Sequence, residues 1–271
     1  IVFGDWSSDV CSSDLTGLIL FMQLLGSRFW TAFALTASGA VVLIAMLYTN
    51  LIVPLFNKLT PLQEGELADK IRELARRLDF PIAGIYIMDA SKRSRKANAY
   101  FSGFGRFKKI VLFDTLVREF TPDEIAAVLA HEIGHYRNKD TLKGVLGSVL
   151  HITLQSWLFS LLVYNGALST SLGARSLSVA VNLFAFFLLF QPVETIAGIL
   201  LNTLSRAKET RADRFACASA DPLAFAGALK KLSANNLSDL YPHPLFVAAR
   251  YSHPPLLARL DAIEKEGKRQ A

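Results

Sequence analysis

Three long apolar stretches constrain this chain more than any other feature of its sequence. No charged residue occurs from Phe29 to Phe56 or from Gly144 to Ala174, and Glu194 alone interrupts a third stretch from Ser176 to Ser205. A helix needs about 20 apolar residues to cross a bilayer, and each stretch exceeds that length. The stretches predict three transmembrane helices and hence a mainly α, multi-spanning membrane protein. Glu194 could be functional, paired with another residue or close to a water-filled cavity.

The balance of charges points to a lipid partner. Hydrophobic residues make up 52% of the 271 residues, and the net charge is +6. No nucleic-acid-binding motif accompanies the basic residues, so we expect no nucleic-acid partner and a contact with the lipid bilayer instead. Basic clusters at 92–96 and 106–109 lie between the first two spans, whereas the next loop offers only Arg175. This bias predicts that the polar segment and the C-terminus face the cytoplasm.

The remaining segments divide the chain into regions. Residues 1–14 contain DWSSDVCSSD, which lacks the basic start and apolar centre of a signal peptide. It resembles a translated sequencing adapter, so we interpret residues 1–14 as non-native and expect the natural chain to begin upstream. We expect a span with its flank at 15–56, a cytoplasmic segment at 57–143, two spans at 144–205 and a cytoplasmic C-terminal segment at 206–271.

The polar segment has the alternation of an α+β region. Apolar residues at helical spacing predict an amphipathic helix from Pro61 to Leu78. GIYIMDA (Gly84 to Ala90) and KKIVLFDTLV (Lys108 to Val117) read as strands, joined by the glycine-rich NAYFSGFGRF as strand and turn. The sequence therefore predicts a small β element within a helical protein.

A helix that follows carries a metal-binding pattern. TPDE at 121–124 is a capping box with proline at the first helical position, and it opens a helix through HEIGH. His131 and His135 are four residues apart on one helical face, so both imidazoles can reach one zinc ion. Glu132 lies beside them, where it can accept a proton from water that the metal activates.

A catalytic zinc ion needs a third protein ligand and an open position. No third histidine follows at the metzincin spacing, where Asn138 and Asp140 stand instead. The candidate is Glu209 in SRAKETRAD, with Asp213 one helical turn further on. Asp213 could then hydrogen-bond a ligand histidine. Either acid alone could be an ordinary surface residue, but a histidine pair without a third ligand favours the metal site, with one Zn²⁺ per chain.

These residues resemble the type I CAAX prenyl endopeptidases, which are integral-membrane zinc proteases of the gluzincin type. The resemblance extends from Trp30 onward and is carried by these segments: PLFNKLTPL, SKRSRKANAYFSGFG, IVLFDTL, HEIGH, SRAKETRADRFA and YSHPPLLARL. Family members carry further membrane helices before the span that begins near Trp30, in line with a natural start upstream. The resemblance implies a zincin-like catalytic segment in a membrane protein.

The resemblance also implies roles for individual residues. The zinc ligands would be His131, His135 and Glu209. Glu132 would be the general base, and Asp213 would act beside the ligands or as a proton donor.

Two further pairs follow from the resemblance alone. Asn98 and Ala99 would bind the substrate backbone along an edge strand, and His253 and Arg259 would stabilise the developing oxyanion. Without the resemblance, His253 is a loop histidine and Arg259 a solvated helix charge.

The implied function is a membrane zinc metalloendopeptidase that cleaves prenylated CAAX peptides. One alternative is a membrane-protein quality-control protease; another is a non-catalytic zinc-dependent membrane protein, which the intact Glu132 disfavours. We expect an integral membrane protein of a bacterial inner membrane or endoplasmic-reticulum type, with its active site facing the cytoplasm.

Overall fold

The computed structural model describes residues 20, 22, 24–48, 51, 53–94, 96–102 and 108–270. The expectation for residues 1–14 and the turn predicted after the NAYFS strand lie outside the described residues. The helices are α1 (Phe29–Leu47), α2 (Val53–Phe56), α3 (Glu66–Arg77), α4 (Asp114–Glu119), α5 (Pro122–Arg137), α6 (Asp140–Val163), α7 (Gly166–Ser171), α8 (Val179–Ser219), α9 (Pro222–Asn235), α10 (Pro244–Arg250) and α11 (Leu256–Gln270). The strands are β1 (Leu59–Pro61), β2 (Gly84–Met88), β3 (Ala99–Ser102) and β4 (Lys109–Phe113).

The three predicted spans are confirmed as helices. Among the described residues, α1, α6 and α8 are the helices long and apolar enough to cross a membrane. Their bounds differ from the apolar stretches: α1 ends at Leu47, α6 begins at Asp140, and α8 continues to Ser219. The predicted boundary at residue 205 therefore falls inside α8, so that the third span and the SRAKETRAD motif share one helix.

The four strands form one small mixed sheet in the order β1-β2-β4-β3. β2 and β4 pair in parallel, whereas β1 pairs with β2, and β3 with β4, in antiparallel fashion. The second predicted strand was too long, because α4 begins at Asp114. The Asp114 carboxylate accepts hydrogen bonds from the backbone N–H groups of Ser91 and Thr115 at 2.9 and 3.0 Å, which stabilises this first turn.

The predicted amphipathic helix begins later than expected. Pro61 lies in β1 opposite Tyr86 of β2, and α3 starts only at Glu66. The ladder to β2 holds the backbone extended through Pro61, which excludes it from the helix. The apolar face of α3 is nevertheless the predicted one, since Ile71 and Leu74 are both buried.

The capping box of α5 is confirmed. The N–H of Glu124 donates to the Thr121 hydroxyl at 3.3 Å, and the Thr121 N–H donates to the Glu124 carboxylate at 2.8 Å. The same carboxylate accepts a 2.6 Å hydrogen bond from Lys231 of α9. Buried Glu124 thus caps the N-terminus of α5, the helix that carries HEIGH, and also connects this helix to α9.

The chain divides into two compact units. The helical unit comprises the described residues up to Ile44 together with Gly144–Thr195, and the mixed unit comprises Ala45–Lys143 with Ile196–Ala271. Within the helical unit, Nε2 of His151 lies 3.4 Å from the Glu194 carboxylate, so Glu194 has a partner in the neighbouring helix. Within the mixed unit, α5 packs against α3, α9 and β3 around one apolar core.

Candidate active site

The candidate site forms where α5 and α8 approach closely in the mixed unit. Gly134 lies at this contact, and a Cβ atom on it would lie 3.2 Å from the Cα of Ala212 and 3.2 Å from the ring of Phe215. Few real Cβ contacts are that short. Because glycine has no Cβ, α5 and α8 can lie closer together than an alanine at this position would allow. The glycine of HEIGH therefore lets the histidine face of α5 meet the acidic face of α8.

Three possible ligand atoms converge between the two helices. The Nε2 atoms of His131 and His135 are 3.1 Å apart. The Glu209 carboxylate lies 3.6 Å from the first of these nitrogens and 3.3 Å from the second. All three ligand atoms are within 4.8 Å of one another, so the group could hold a metal ion. Two imidazole nitrogens and one carboxylate oxygen are a donor set that suits a divalent transition metal.

Carboxylates face the opposite nitrogens of both imidazoles. Nδ1 of His131 lies 2.9 Å from Asp213, and Nδ1 of His135 lies 3.0 Å from Asp140. Such contacts fix the ring orientation and leave Nε2 free for a ligand. Asp213 is the carboxylate for which the sequence analysis considered a hydrogen bond to a ligand histidine. Sequence reasoning gave Asp140 no role.

The chain geometry explains how Asp140 reaches its partner. Lys139 adopts a left-handed backbone with φ of 54° between α5 and α6. After this turn the first residue of α6, Asp140, lies beside His135. Asp140 is buried and also lies 3.5 Å from Arg211. The sequence shows an acidic residue, Asp140, shortly after the end of the histidine helix. No sequence pattern indicates that this residue contacts His135.

Arg259 is the counterion of Asp213. Its guanidinium donates two hydrogen bonds, of 2.8 and 2.6 Å, to the two carboxylate oxygens. Burial opposes the charge of Asp213, but its contacts with His131 and Arg259 outweigh that effect and lower its pKa. Arg259 also lies 4.0 Å from Glu209. Arg259, to which the family resemblance assigns an oxyanion role, is therefore held by Asp213 at the rim of the ligand cluster, and it is largely buried.

The ligand cluster is strongly coupled electrostatically. Burial disfavours the charged form of His131, but the carboxylates of Asp213 and Glu209 outweigh it and raise its pKa to about 9. Burial acts in the same way on His135, whose pKa is raised by Glu209 and Asp140. The pKa of Glu209 is lowered despite burial because both histidines contact it. In the metal-free protein the cluster thus holds protons that a metal must displace.

Glu132 differs from the other acids of the site. It lines the cavity beside His131 and His135. Burial raises its pKa above that of an ordinary glutamate, although the two histidines partly oppose this effect. A carboxylate with a raised pKa is a better proton acceptor, which suits a general base.

His253 reaches the site on a loop that α8 holds in place. The guanidinium of Arg206 donates to the carbonyls of Val247 and Tyr251, at 3.0 and 2.6 Å, at the C-terminal end of α10. This contact places a cation where a helix end favours one. The loop that follows carries His253, whose Nε2 lies 3.4 Å from Glu209. The imidazole is mostly exposed and faces the cavity, so it can act on a bound molecule.

A cavity of about 970 Å³ opens beside the cluster. Its wall includes Asn98, whereas Ala99 is buried at the start of β3 and does not line it. The site residues expected from the sequence are thus all in or next to one cavity of the mixed unit. The structure adds Asp140, Arg206 and Gly134 to them.

Two curated proteins that are similar to this chain carry the same name. A CAAX prenyl protease 1 homolog from Arabidopsis thaliana is 35% identical over 99% of this chain and 64% of its own length. Another, from Oryza sativa subsp. japonica, is 40% identical over 80% of this chain and 52% of its own length. The chain thus spans about half to two thirds of the length of these relatives.

A solved structure and a family profile also match this chain. The crystal structure of Ste24p from S. mikatae matches with a TM-score of 0.79 at 33% identity, covering 95% of this chain and 64% of that one. This similarity and the three apolar helices support an integral membrane protein. The sequence profile of peptidase family M48 matches residues 61–267, which include the whole ligand cluster. The chain belongs to peptidase family M48.

Proposed function

We propose that this protein is a membrane zinc metalloendopeptidase that hydrolyses prenylated CAAX-type peptides. The observation that carries the proposal is the convergence of His131, His135 and Glu209 on one point, with Glu132 beside it in an open cavity. Three ligands of this kind with one open position are typical of catalytic zinc sites. The names of the curated relatives support the prenylated peptide as substrate.

The residues around the ligands have separable tasks. Bound zinc would supply Lewis-acid polarisation of the scissile carbonyl and activation of water. Glu132 would accept the proton of the attacking water and pass it to the leaving amine. Asp213 and Asp140 hold the two ligand imidazoles by Nδ1. These tasks need no residue from the helical unit.

Groups on the cavity wall would act on the substrate. The exposed His253 can donate a hydrogen bond to the carbonyl oxygen as it gains charge. The positive charge of Arg259, which is hydrogen-bonded to Asp213, would also stabilise the negative charge on that oxygen. Asn98 and Ala99 would bind the peptide backbone at the edge of the sheet, in the manner of strand addition. The excess of basic residues in the polar segment supports a cytoplasmic orientation of this site.

The test compares metal content and turnover in matched variants. The protein is purified in detergent, and zinc is measured by mass spectrometry before cleavage of a farnesylated CAAX peptide and its unprenylated form. Glu132→Gln should keep its zinc and lose about 100-fold or more in rate, the contribution expected of a general base. Glu73→Gln, an exposed acid on α3, is the matched control.

Each alternative has its own outcome. Zinc binding without cleavage of any peptide would indicate a non-catalytic protein. Cleavage with no preference for the farnesylated peptide would favour a quality-control protease. Normal turnover in Glu132→Gln would show that Glu132 is not the general base.

A further inference from the structure

Two basic side chains line the cavity without a carboxylate partner. Among the described residues, Lys96 and Arg250 line it and form no ion pair, whereas Arg259 is engaged by Asp213. Both side chains are exposed to solvent. Unpaired cations in a substrate cavity are available to an anionic group of the ligand. Of Lys96 and Arg250, the side chain that lies where a bound peptide presents its anionic group would bind it.

The backbone around Lys96 is fixed although its side chain is free. The Lys96 carbonyl accepts a 2.9 Å hydrogen bond from the Thr115 hydroxyl, and its N–H donates to the Ser94 hydroxyl at 3.1 Å. Two residues later the Asn98 carbonyl accepts from the N–H of Phe113 at 3.0 Å. The backbone of the segment is therefore held against β4 and α4, and Lys96 belongs to the cavity wall at a defined position in the fold.

The sheet defines the direction in which a peptide would bind. β3 is an edge strand, and one side of it is occupied by β4. A peptide added to its free side in antiparallel fashion has its C-terminal end next to the start of β3. Lys96 lies at that end, three residues before Ala99. A strand advances about 3.3 Å per residue, so Lys96 is about 7 Å beyond Asn98 along the edge.

We propose that Lys96 binds the free C-terminal carboxylate of the substrate, which lies three residues beyond the scissile bond. The inference rests on the proposed function, since a CAAX peptide cleaved after its cysteine ends three residues later. An ammonium–carboxylate hydrogen bond in this position would select true chain ends over internal peptide segments. Lys96 is thus a specificity-determining residue and takes no part in the proton transfers.

The test uses two farnesylated peptides that differ only at the C-terminus, one a carboxylate and the other a carboxamide. Wild-type protein should favour the carboxylate by about tenfold in kcat/KM, as expected of one charged hydrogen bond. Lys96→Gln should bring this ratio close to one, and Lys96→Glu should invert it. Lys92→Gln is the matched control, because Lys92 belongs to the same basic run but pairs with Asp89 at 2.6 Å.

A second comparison decides between the two cations. Arg250→Gln should retain the preference for the carboxylate. Loss of the preference in Arg250→Gln but not in Lys96→Gln would overturn the assignment to Lys96. Equal rates on both peptides in the wild type would overturn the carboxylate site altogether while leaving the peptidase activity established.

A binding assay covers the case in which turnover is too slow to compare. Zinc-loaded Glu132→Gln protein is titrated with fluorescent versions of the two peptides, with and without Lys96→Gln. Tighter binding of the carboxylate that disappears with Lys96→Gln supports the inference, and equal binding of the two peptides refutes it. Absence of both binding and zinc-dependent cleavage would refute the proposed function as well.

Discussion

The polar residues of the candidate site in the mixed unit are buried and paired, whereas many large apolar residues of the helical unit are exposed. His131, Glu209 and Asp213 are each less than a tenth exposed, and each has an oppositely charged neighbour. In the helical unit, Leu150 and Phe187 are about two thirds exposed. Hydrocarbon solvates such side chains, so they need no protein partner. The site residues of the mixed unit thus depend on specific polar contacts, whereas the exposed apolar side chains of the helical unit depend on the solvent around them.

The largest expected effect is at a ligand of the mixed unit. Glu209→Ala removes one of three ligand atoms and leaves His131 and His135 to hold the metal alone. Zinc affinity should fall well beyond the roughly 10 to 100-fold that an outer partner contributes. Zinc retention against a competing chelator measures it, with the exposed Glu264→Ala as control. Equal retention in Glu209→Ala and wild type would place the third ligand elsewhere.

A matched pair of leucines tests the comparison directly. Leu129 of α5 is 0% exposed, whereas Leu188 of α8 is 56% exposed. Leu129→Ala should cost about 2–5 kcal/mol of unfolding free energy, because it leaves a cavity in a packed core. Leu188→Ala should change it by no more than about 0.5 kcal/mol. Thermal unfolding in one detergent compares them, and equal losses would show that Leu188 packs against protein.

The two carboxylates behind the histidines should have smaller, similar effects. Asp213→Asn and Asp140→Asn keep the size of the side chain but weaken its hold on Nδ1 of His131 and His135. Each should lower zinc affinity by about 10 to 100-fold. The exposed Asp261→Asn is the control, since Asp261 lies on α11 and does not line the cavity. Unchanged affinity in Asp140→Asn would mean that its contact with His135 is incidental.

A last prediction changes no residue and concerns the dependence of zinc affinity on pH. His131 has a pKa of about 9 in the metal-free protein, above its ordinary 6.5, so the proton stays bound between these values. Zinc must displace it, and because the pKa of His135 is raised too, the apparent affinity should rise by at least about tenfold per pH unit towards pH 9 and then level off. Asp213→Asn removes a negative charge and should move the plateau to lower pH. Chelator competition from pH 6 to 10 measures both, and a flat profile would contradict the raised pKa.

Local patterns were sufficient for several elements of this protein. The capping box at Thr121 and Glu124 depends on residues three positions apart, and it formed as predicted. The length of the apolar stretches predicted the spans, because crossing a bilayer requires little more than a long apolar helix. The start of α3 was misplaced because the pairing of Pro61 with β2 depends on a strand more than twenty residues away. Glu209 was found only because the histidine pair lacked a third ligand.

The sequence by itself determined that His131 and His135 could hold a metal together, because their spacing fixes both on one face of a single helix. Tertiary structure decided what surrounds them. The left-handed turn at Lys139 brings Asp140 to His135, Arg259 takes Asp213 as its partner, and Lys96 faces the cavity from the edge of the sheet. These contacts join elements that are distant in the chain. They arise from how helices and strands pack, and no local periodicity records that packing.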